Sequence, residues 1–144
     1  MARVNYGFAD LTVLISHPSV GQVELNGAGT GNITFTMAED TSSHNLAADG
    51  VVLVSKIEAK NGTVAVTIQQ ISEAHRFFTM LYNYLQSAPL REHAMIQLEA
   101  NGSDMQVSHI GEDMSIQKRG DKAYNQQSEN VTWTFLAAKL QEIT

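Results

Sequence analysis

The stretch VVLVSKIEAKNGTVAVTIQQ, residues 51–70, predicts a β-hairpin and decides the fold. Asn61-Gly62 lies between its two β-rich halves, and this dipeptide favours a type I′ turn because both residues tolerate positive φ. The apolar face of the return strand is formed by Val64, Val66 and Ile68. The outgoing strand begins as an unbroken apolar run, Val51–Val54, and then alternates with charged residues. The hairpin is therefore predicted to be buried on both faces at its base and solvent-exposed on one face at its far end.

The same stretch leads directly into a predicted helix. Ser72 is a favourable N-cap residue, and Glu73 places a negative charge in the first turn, where the helix dipole favours it. A broad apolar stripe follows and is formed by Phe77, Leu81, Tyr84 and Leu85, with Phe78 and Met80 beside it. Pro89 ends the helix shortly after Ser87. We therefore predict one helix that lies over the apolar face of a sheet.

Alternating apolar and polar residues predict strands in most of the remaining chain. These strands are Phe8–Ser16, Val20–Asn26, Ile33–Ala38, His93–Ala100, Asp104–Ile110 and Val131–Leu140. Gly27–Gly31 is predicted as a turn, and a second hairpin is predicted to turn on Asn101-Gly102. The predicted fold is mainly β with one α-helix: two packed antiparallel sheets form a sandwich or partial barrel, flanked by the helix.

Composition limits the class of protein. A chain of 144 residues with 43% hydrophobic residues and two prolines is expected to fold as one ordered domain. The absence of cysteine removes disulfides, thiolate zinc sites and cysteine nucleophiles. The N-terminal sequence has no signal-peptide pattern, and no apolar run approaches the ~20 residues of a membrane span. The net charge of −6 repels nucleic acid and fits ordinary solubility.

Two long polar segments, Glu39–Gly50 and Gly111–Asn130, are predicted as loops, the second with a short internal strand or as an extended arm. Loops of this length are uncommon in a compact domain unless they are functional or mobile. The first segment, Glu39–Gly50, is equally compatible with a surface loop that has no binding role and with a loop that contacts another subunit.

No catalytic constellation is apparent. The five histidines show no metal-binding spacing, and the glycines at positions 27, 29 and 31 precede a strand where a dinucleotide-binding loop would precede a helix. The periodicity of the aromatic residues predicts core positions for most of them, in preference to a stacking surface for bases or sugars: Trp133, Phe77, Phe78 and Tyr84. An enzyme is therefore the least supported class.

Two segments of the sequence resemble a known protein family. ADGVVLVSKIEAKNGTVAVTIQQIS precedes the helix, and NVTWTFLAAKL closes the domain. These two segments, together with the long polar stretch before the first of them, resemble the tail tube proteins of bacteriophages with contractile tails. The likeness extends from about Tyr6 to Leu140.

The resemblance implies a fold of two packed sheets and an assembly. Six subunits would form a ring, rings would stack into a tube, and hairpin strands from all subunits would line its channel. The implied partners are other copies of the chain, the tail sheath outside, and the baseplate and terminator at the ends. The tape measure protein and then DNA would occupy the channel without specific binding. The implied location is the virion tail, after assembly in the host cytoplasm, with no cofactor, metal or membrane.

The resemblance and the sequence together give candidate surface residues. The channel candidates are polar residues of the predicted strands: Thr34, Thr36, Lys56, Glu58, Thr67 and Gln69. The candidates for contacts between subunits lie in the two long segments: Glu39, Asp40, Ser42, His44, Asn45, Asp49, Lys118, Arg119, Asp121 and Tyr124. An acidic wall would limit contacts with DNA phosphates.

Three alternatives remain open from the sequence. The chain could form the tube of a type VI secretion system or pyocin-like particle, which carries no DNA, and gene neighbourhood would distinguish this case. A terminator or baseplate-end subunit would cap a tube without polymerising. A small ligand-binding β-barrel would be a stable monomer with an apolar cavity.

Overall fold

The computed structural model describes residues 6–7, 10–25, 30–127 and 129–143. The elements are β1 (Leu11–His17), β2 (Gly21–Leu25), β3 (Thr30–Met37), β4 (Ser42–Leu46), β5 (Val52–Lys56), β6 (Gly62–Gln69), α1 (Glu73–Ser87), a 3₁₀ turn (Leu90–Glu92), β7 (Ile96–Gly102), β8 (Val107–Lys118) and β9 (Asn130–Glu142). The predicted position of Phe8 in the first strand and most of the predicted turn at Gly27–Gly31 lie outside the described residues.

The strands form one large and one small antiparallel sheet. The large sheet has seven strands in the order β2-β1-β7-β8-β9-β6-β3, and β4 and β5 form a separate pair. Every pairing is antiparallel. The predicted fold class, mainly β with one helix, is confirmed.

The large sheet curls into a half-barrel. In sheet order β3 is three strands away from β8, which in a flat sheet would separate them by about 14 Å. Instead Phe35 on β3 stacks on His109 of β8, with ring centroids 4.3 Å apart. The end of the sheet at β3 therefore curls back over its middle strand β8, as the predicted partial barrel requires.

Helix α1 covers this core as predicted. The Ser72 hydroxyl caps its first turn by accepting a hydrogen bond from the His75 N–H, at 3.2 Å. Phe78 is fully buried and packs against Trp133 and Phe135 of β9, with ring centroids 5.6 Å and 5.3 Å away. The prediction that the aromatic residues belong to the core is confirmed for these side chains. Met80 was predicted beside the apolar stripe, but it is 53% exposed because it lies on the outward side of the helix.

The predicted hairpin at Asn61-Gly62 is wrong. Strand β5 pairs with β4, whereas β6 pairs with β3 and β9. The chain instead reverses at Ala47–Gly50, where the Gly50 N–H donates to the Ala47 carbonyl at 3.0 Å and Gly50 has φ +89°. Asp49 supports this turn by accepting from the Val51 N–H through Oδ1, at 3.1 Å.

Gly62 has a packing role within β6. A Cβ atom at this position would lie 2.6 Å from the Thr36 carbonyl oxygen and 2.7 Å from Leu140 Cδ2.

The second predicted turn, at Asn101-Gly102, is also displaced, because this dipeptide ends β7 and the hairpin turns at residues 103–106. Gln106 occupies the positive-φ position there, at φ 57°.

Gly62→Ala is expected to reduce the free energy of unfolding by about 1–3 kcal/mol, because the added methyl group overpacks the contact between β3 and β6. Urea unfolding measures the change. Gly31→Ala is the matched control in β3, since its Cβ would find no atom closer than 3.6 Å. Equal stability losses in the two variants would contradict the packing role of Gly62.

Two further boundaries differ from the prediction. Strand β8 continues to Lys118, so the predicted loop Gly111–Asn130 contains the second half of a long strand. This strand is irregular at Asp113, which has φ 51°. The predicted loop Glu39–Gly50 contains β4. Within the described part of the chain, no helix has the length and apolar character needed to cross a membrane.

Candidate assembly surfaces

The hairpin β4–β5 forms an arm, defined here as residues 41–57. At its base the Ile57 N–H donates to the Thr41 carbonyl at 2.7 Å, and the Ala38 N–H donates to the Asn61 carbonyl at 3.1 Å. These bonds make the arm a continuation of the paired strands β3 and β6. The tip of the arm lies at Ala47–Gly50, at the far end of this long hairpin.

The arm exposes an unusual amount of apolar surface. Leu46 is 70% and Val54 67% exposed, and three further apolar residues of the arm are about half exposed: Val51, Val52 and Leu53. Every residue of β4 and β5 is exposed. Since an isolated two-stranded hairpin is marginally stable in water, this pattern indicates a surface that another chain covers.

The predicted contact residues of the first segment all belong to the arm or its base. Glu39 and Asp40 precede the arm, and Asp49 lies in the turn; all three are exposed. On β4, His44 lies opposite Val54, and Asn45 lies opposite Leu53. Ser42, opposite Lys56, completes the set.

The second group of predicted contact residues lies at the end of β8 and in the loop that follows it, called the loop 119–129, of which residue 128 lies outside the described residues. Lys118 ends β8 and forms an ion pair with Asp121, with Nζ and Oδ2 3.8 Å apart. Arg119 is exposed, and the exposed Tyr124 ring receives the Lys122 ammonium 5.3 Å from its centroid. The structure therefore separates the two groups: one on the arm, the other beside α1.

Four of the channel candidates share one face of the large sheet, opposite the core. Thr34 and Thr36 lie on β3, and Thr67 and Gln69 lie on β6. Thr67 also contacts Thr132 on β9, with hydroxyl oxygens 3.0 Å apart. The other two candidates lie elsewhere: Lys56 ends β5 and pairs with Glu58 in the following segment, at 3.6 Å. The expectation that Lys56 and Glu58 share a sheet face with Thr67 and Gln69 assumed that β5 pairs with β6, whereas β5 pairs with β4.

The outer face of the large sheet has two chemically different halves. On β3, β6 and the first part of β9, up to Leu136, the described residues of this face are uncharged and rich in threonine, whereas Lys139, further along β9, lies on this face opposite Glu112 of β8. On β2, β1, β7 and β8 it carries Glu24, Glu99 and Glu112. The sequence analysis missed this division, because register between distant strands determines which residues share a face.

A buried polar pair joins α1 to the sheet. The Trp133 Nε1–H donates to Nδ1 of His75 at 3.0 Å, so neutral His75 carries its proton on Nε2. Burial lowers the pKa of His75 below 6.5, and the positive charges of Lys122 and Arg119 lower it further. Among the described residues, no cluster of side chains is arranged to bind a metal ion.

The lowered pKa of His75 predicts that acid destabilises the fold. The unfolded chain binds the proton more readily, so this contribution to stability is fully present above pH 6.5 and is lost as the pH falls through the lowered folded-state pKa. One proton gives a slope of at most about 1.4 kcal/mol per pH unit. Chemical denaturation at several pH values between about 5 and 7.5, a range that spans the pKa of an unfolded histidine, measures this slope. His75→Gln is expected to flatten the profile, and His93→Gln, at an exposed position, is expected to preserve it.

The fold is shared with proteins of contractile injection systems. A chain of the sheath/tube terminator of the extracellular contractile injection system PVC superposes with a TM-score of 0.68 at 6% identity, covering 100% of both chains. A chain of the anti-feeding prophage (AFP) baseplate gives 0.65 at 6% identity, over 99% of this chain and 97% of that one. A chain of the PVC sheath-tube complex gives 0.57 at 8% identity, over 90% and 86%. The superpositions establish a common fold, and at such low sequence identities they establish the fold alone.

Sequence comparison identifies the family. Residues 3–144 match the family described as the bacteriophage PhiTE tail tube protein, and the chain belongs to this family. No curated protein sequence matches the chain significantly. The resemblance to phage tail tube proteins is therefore confirmed.

Proposed function

We propose that this chain polymerises as stacked hexameric rings into a tail tube through which the genome passes into the host. The observation that carries the proposal is the arm, whose apolar side chains are exposed and lack cover within the described subunit. A contact repeated between copies would bury these side chains at every step of the polymer. The assembled tube would be part of the virion tail, after assembly in the host cytoplasm.

The free edges of the large sheet support lateral assembly. Strands β2 and β3 are its edge strands, so each presents backbone N–H and C=O groups on a side where the described residues supply no neighbouring strand. Exposed edges of this kind invite pairing with another chain. Closure of a ring would satisfy them, with the outer sheet face, including Thr34, Thr36, Thr67 and Gln69, as the proposed channel wall. The uncharged, threonine-rich area of this face, on β3, β6 and the first part of β9, would offer DNA phosphates no ionic contact.

The proposed partners follow from the position of a tube in a contractile particle. The sheath would surround the tube, and the baseplate and terminator would contact its ends. The tape measure protein and then DNA would occupy the channel without specific binding. Structural neighbours from a sheath-tube complex, a baseplate and a tube-terminating cap are consistent with this arrangement.

Negative-stain electron microscopy over a range of protein concentrations, with and without a nucleating baseplate complex, tests the proposal. We expect rings and tubes with a central channel. Single rings that never stack would favour a terminator. A monomer under every condition, including in the presence of the baseplate complex, would contradict assembly and favour a ligand-binding barrel. Purified native particles distinguish genome delivery, which requires a DNA-filled head, from a headless secretion-type particle.

A further inference from the structure

A groove beside helix α1 is chemically distinct from the rest of the surface. It has a volume of about 620 Å³ and lies between the start of α1 and the loop 119–129. The residues that line it include Gln70, Ile71, Arg76, Met80 and Lys122. None of the described residues that line it is acidic, although the chain as a whole has a net charge of −6.

The groove combines positive charge with exposed apolar side chains. Arg76 and Lys122 supply the charge from opposite sides, one from the helix and one from the loop. Ile71 and Met80 are more than half exposed. A complementary occupant would therefore present a carboxylate next to aliphatic side chains.

Gln70 indicates that the groove binds a polar partner as well. This side chain is only 6% exposed, and its amide oxygen is buried without a hydrogen-bond partner among the described residues. Leaving a buried acceptor unpaired costs about 1–3 kcal/mol. An occupant that brings a backbone N–H would remove this cost.

The tip of the arm has the matching chemistry. Asp49 lies at the turn, and the exposed Leu46, Val51 and Val52 lie close to it in the hairpin. The outer edges of β4 and β5 carry backbone N–H groups that the two-stranded pairing leaves free. No residue of the arm lines the groove of its own subunit.

We propose that the groove formed by α1 and the loop 119–129 receives the arm tip of a second copy of the chain. This inference rests on the proposed tube function and names the contact that joins the copies. Asp49 lies against Arg76 and Lys122, while the aliphatic residues of the tip cover Ile71 and Met80. It joins the two regions that contain the predicted contact residues, the arm and the loop after β8, although the loop residue that lines the groove is Lys122.

Disulfide cross-linking tests this contact, because the natural chain contains no cysteine. Ala48→Cys at the arm tip and Asn83→Cys in the groove are made in separate proteins, mixed, assembled and oxidised. We expect a cross-linked heterodimer at a yield at least about tenfold above that of unassembled protein, because docking raises the effective concentration of the two thiols. Ser103→Cys, on the exposed turn between β7 and β8, replaces Asn83→Cys in the control and is expected to give background yield.

The outcomes separate the contact from the tube function. Tubes that form normally but cross-link no better at Asn83→Cys than at Ser103→Cys would overturn the contact and leave the tube intact. Failure of the unmodified chain to assemble under any condition would overturn both proposals. A second variant pair checks the charges: Arg76→Glu with Lys122→Glu is expected to reduce assembly at least about tenfold, and Asp49→Lys in the mixed partner is expected to restore part of it. Unchanged assembly of the glutamate variant would count against the docking.

Discussion

Replacing Val52 and Val54 with aspartate is expected to abolish tube assembly while leaving the subunit folded. Both side chains point to the same face of the arm, and both are about half exposed or more. Burial of a valine side chain contributes about 1.5–3 kcal/mol, and the polymer repeats this contribution at every subunit. Two carboxylates would remove it and add the cost of burying charge at the contact.

Sedimentation and electron microscopy measure assembly of this variant, and circular dichroism checks its fold. His93→Asp with Ser103→Asp is the matched control, because it introduces the same number of aspartates at exposed positions outside the arm. The control is expected to assemble like the unmodified chain. Normal tubes from the Val52/Val54 variant would show that the exposed apolar face of the arm is not an assembly surface.

Trp133→Ala is expected to have the largest effect on stability, lowering the free energy of unfolding by about 3–5 kcal/mol. Trp133 is fully buried, packs on Phe78, and donates the only hydrogen bond described for Nδ1 of His75. Its removal leaves a large cavity and an unpaired buried nitrogen. This loss is a substantial part of the roughly 5–15 kcal/mol typical of a domain.

Circular dichroism must follow this unfolding, because Trp133 is the sole tryptophan and its fluorescence disappears with it. Tyr124→Ala is the control, since the tyrosine ring is 77% exposed and its removal is expected to change stability by at most about 0.5 kcal/mol. A loss below about 1 kcal/mol for Trp133→Ala would contradict the central place of this residue in the core.

Local chemistry predicted the helix and the final strand correctly. The Ser72 cap, the apolar stripe and Pro89 act within a few residues of one another, so sequence alone defines α1. The alternation of Val131, Trp133 and Phe135 likewise predicted the buried face of β9. These elements required no knowledge of which strands become neighbours.

The central hairpin failed for the opposite reason. Asn61-Gly62 is a local turn signal, but close packing between β3, β6 and β9 holds Gly62 in an extended strand. Asp49-Gly50 is an equally strong turn signal and marks the true reversal. The apolar run Val51–Val54 indicated a buried base, yet it is exposed in the subunit. An apolar pattern does not distinguish burial within one chain from burial against another.

The groove beside α1 could not be predicted from sequence spacing. Arg76 and Lys122 are far apart in the chain and meet only because the loop 119–129 returns to the helix. Strand β4 with the tip of the arm, and this loop, lie in the two long polar segments that the sequence marks as candidates for contacts between subunits. Their secondary structure and their separation on the subunit depended on tertiary pairing.

A cryo-electron microscopy reconstruction of the assembled particle is the most direct test of the account. We predict stacked six-fold rings in which residues 41–57 of each subunit extend onto a neighbouring copy and bury the apolar side chains of the arm. The outer face of the large sheet would line the channel. Tubes in which the arm remains free in solvent, or in which the large sheet faces away from the channel, would contradict it.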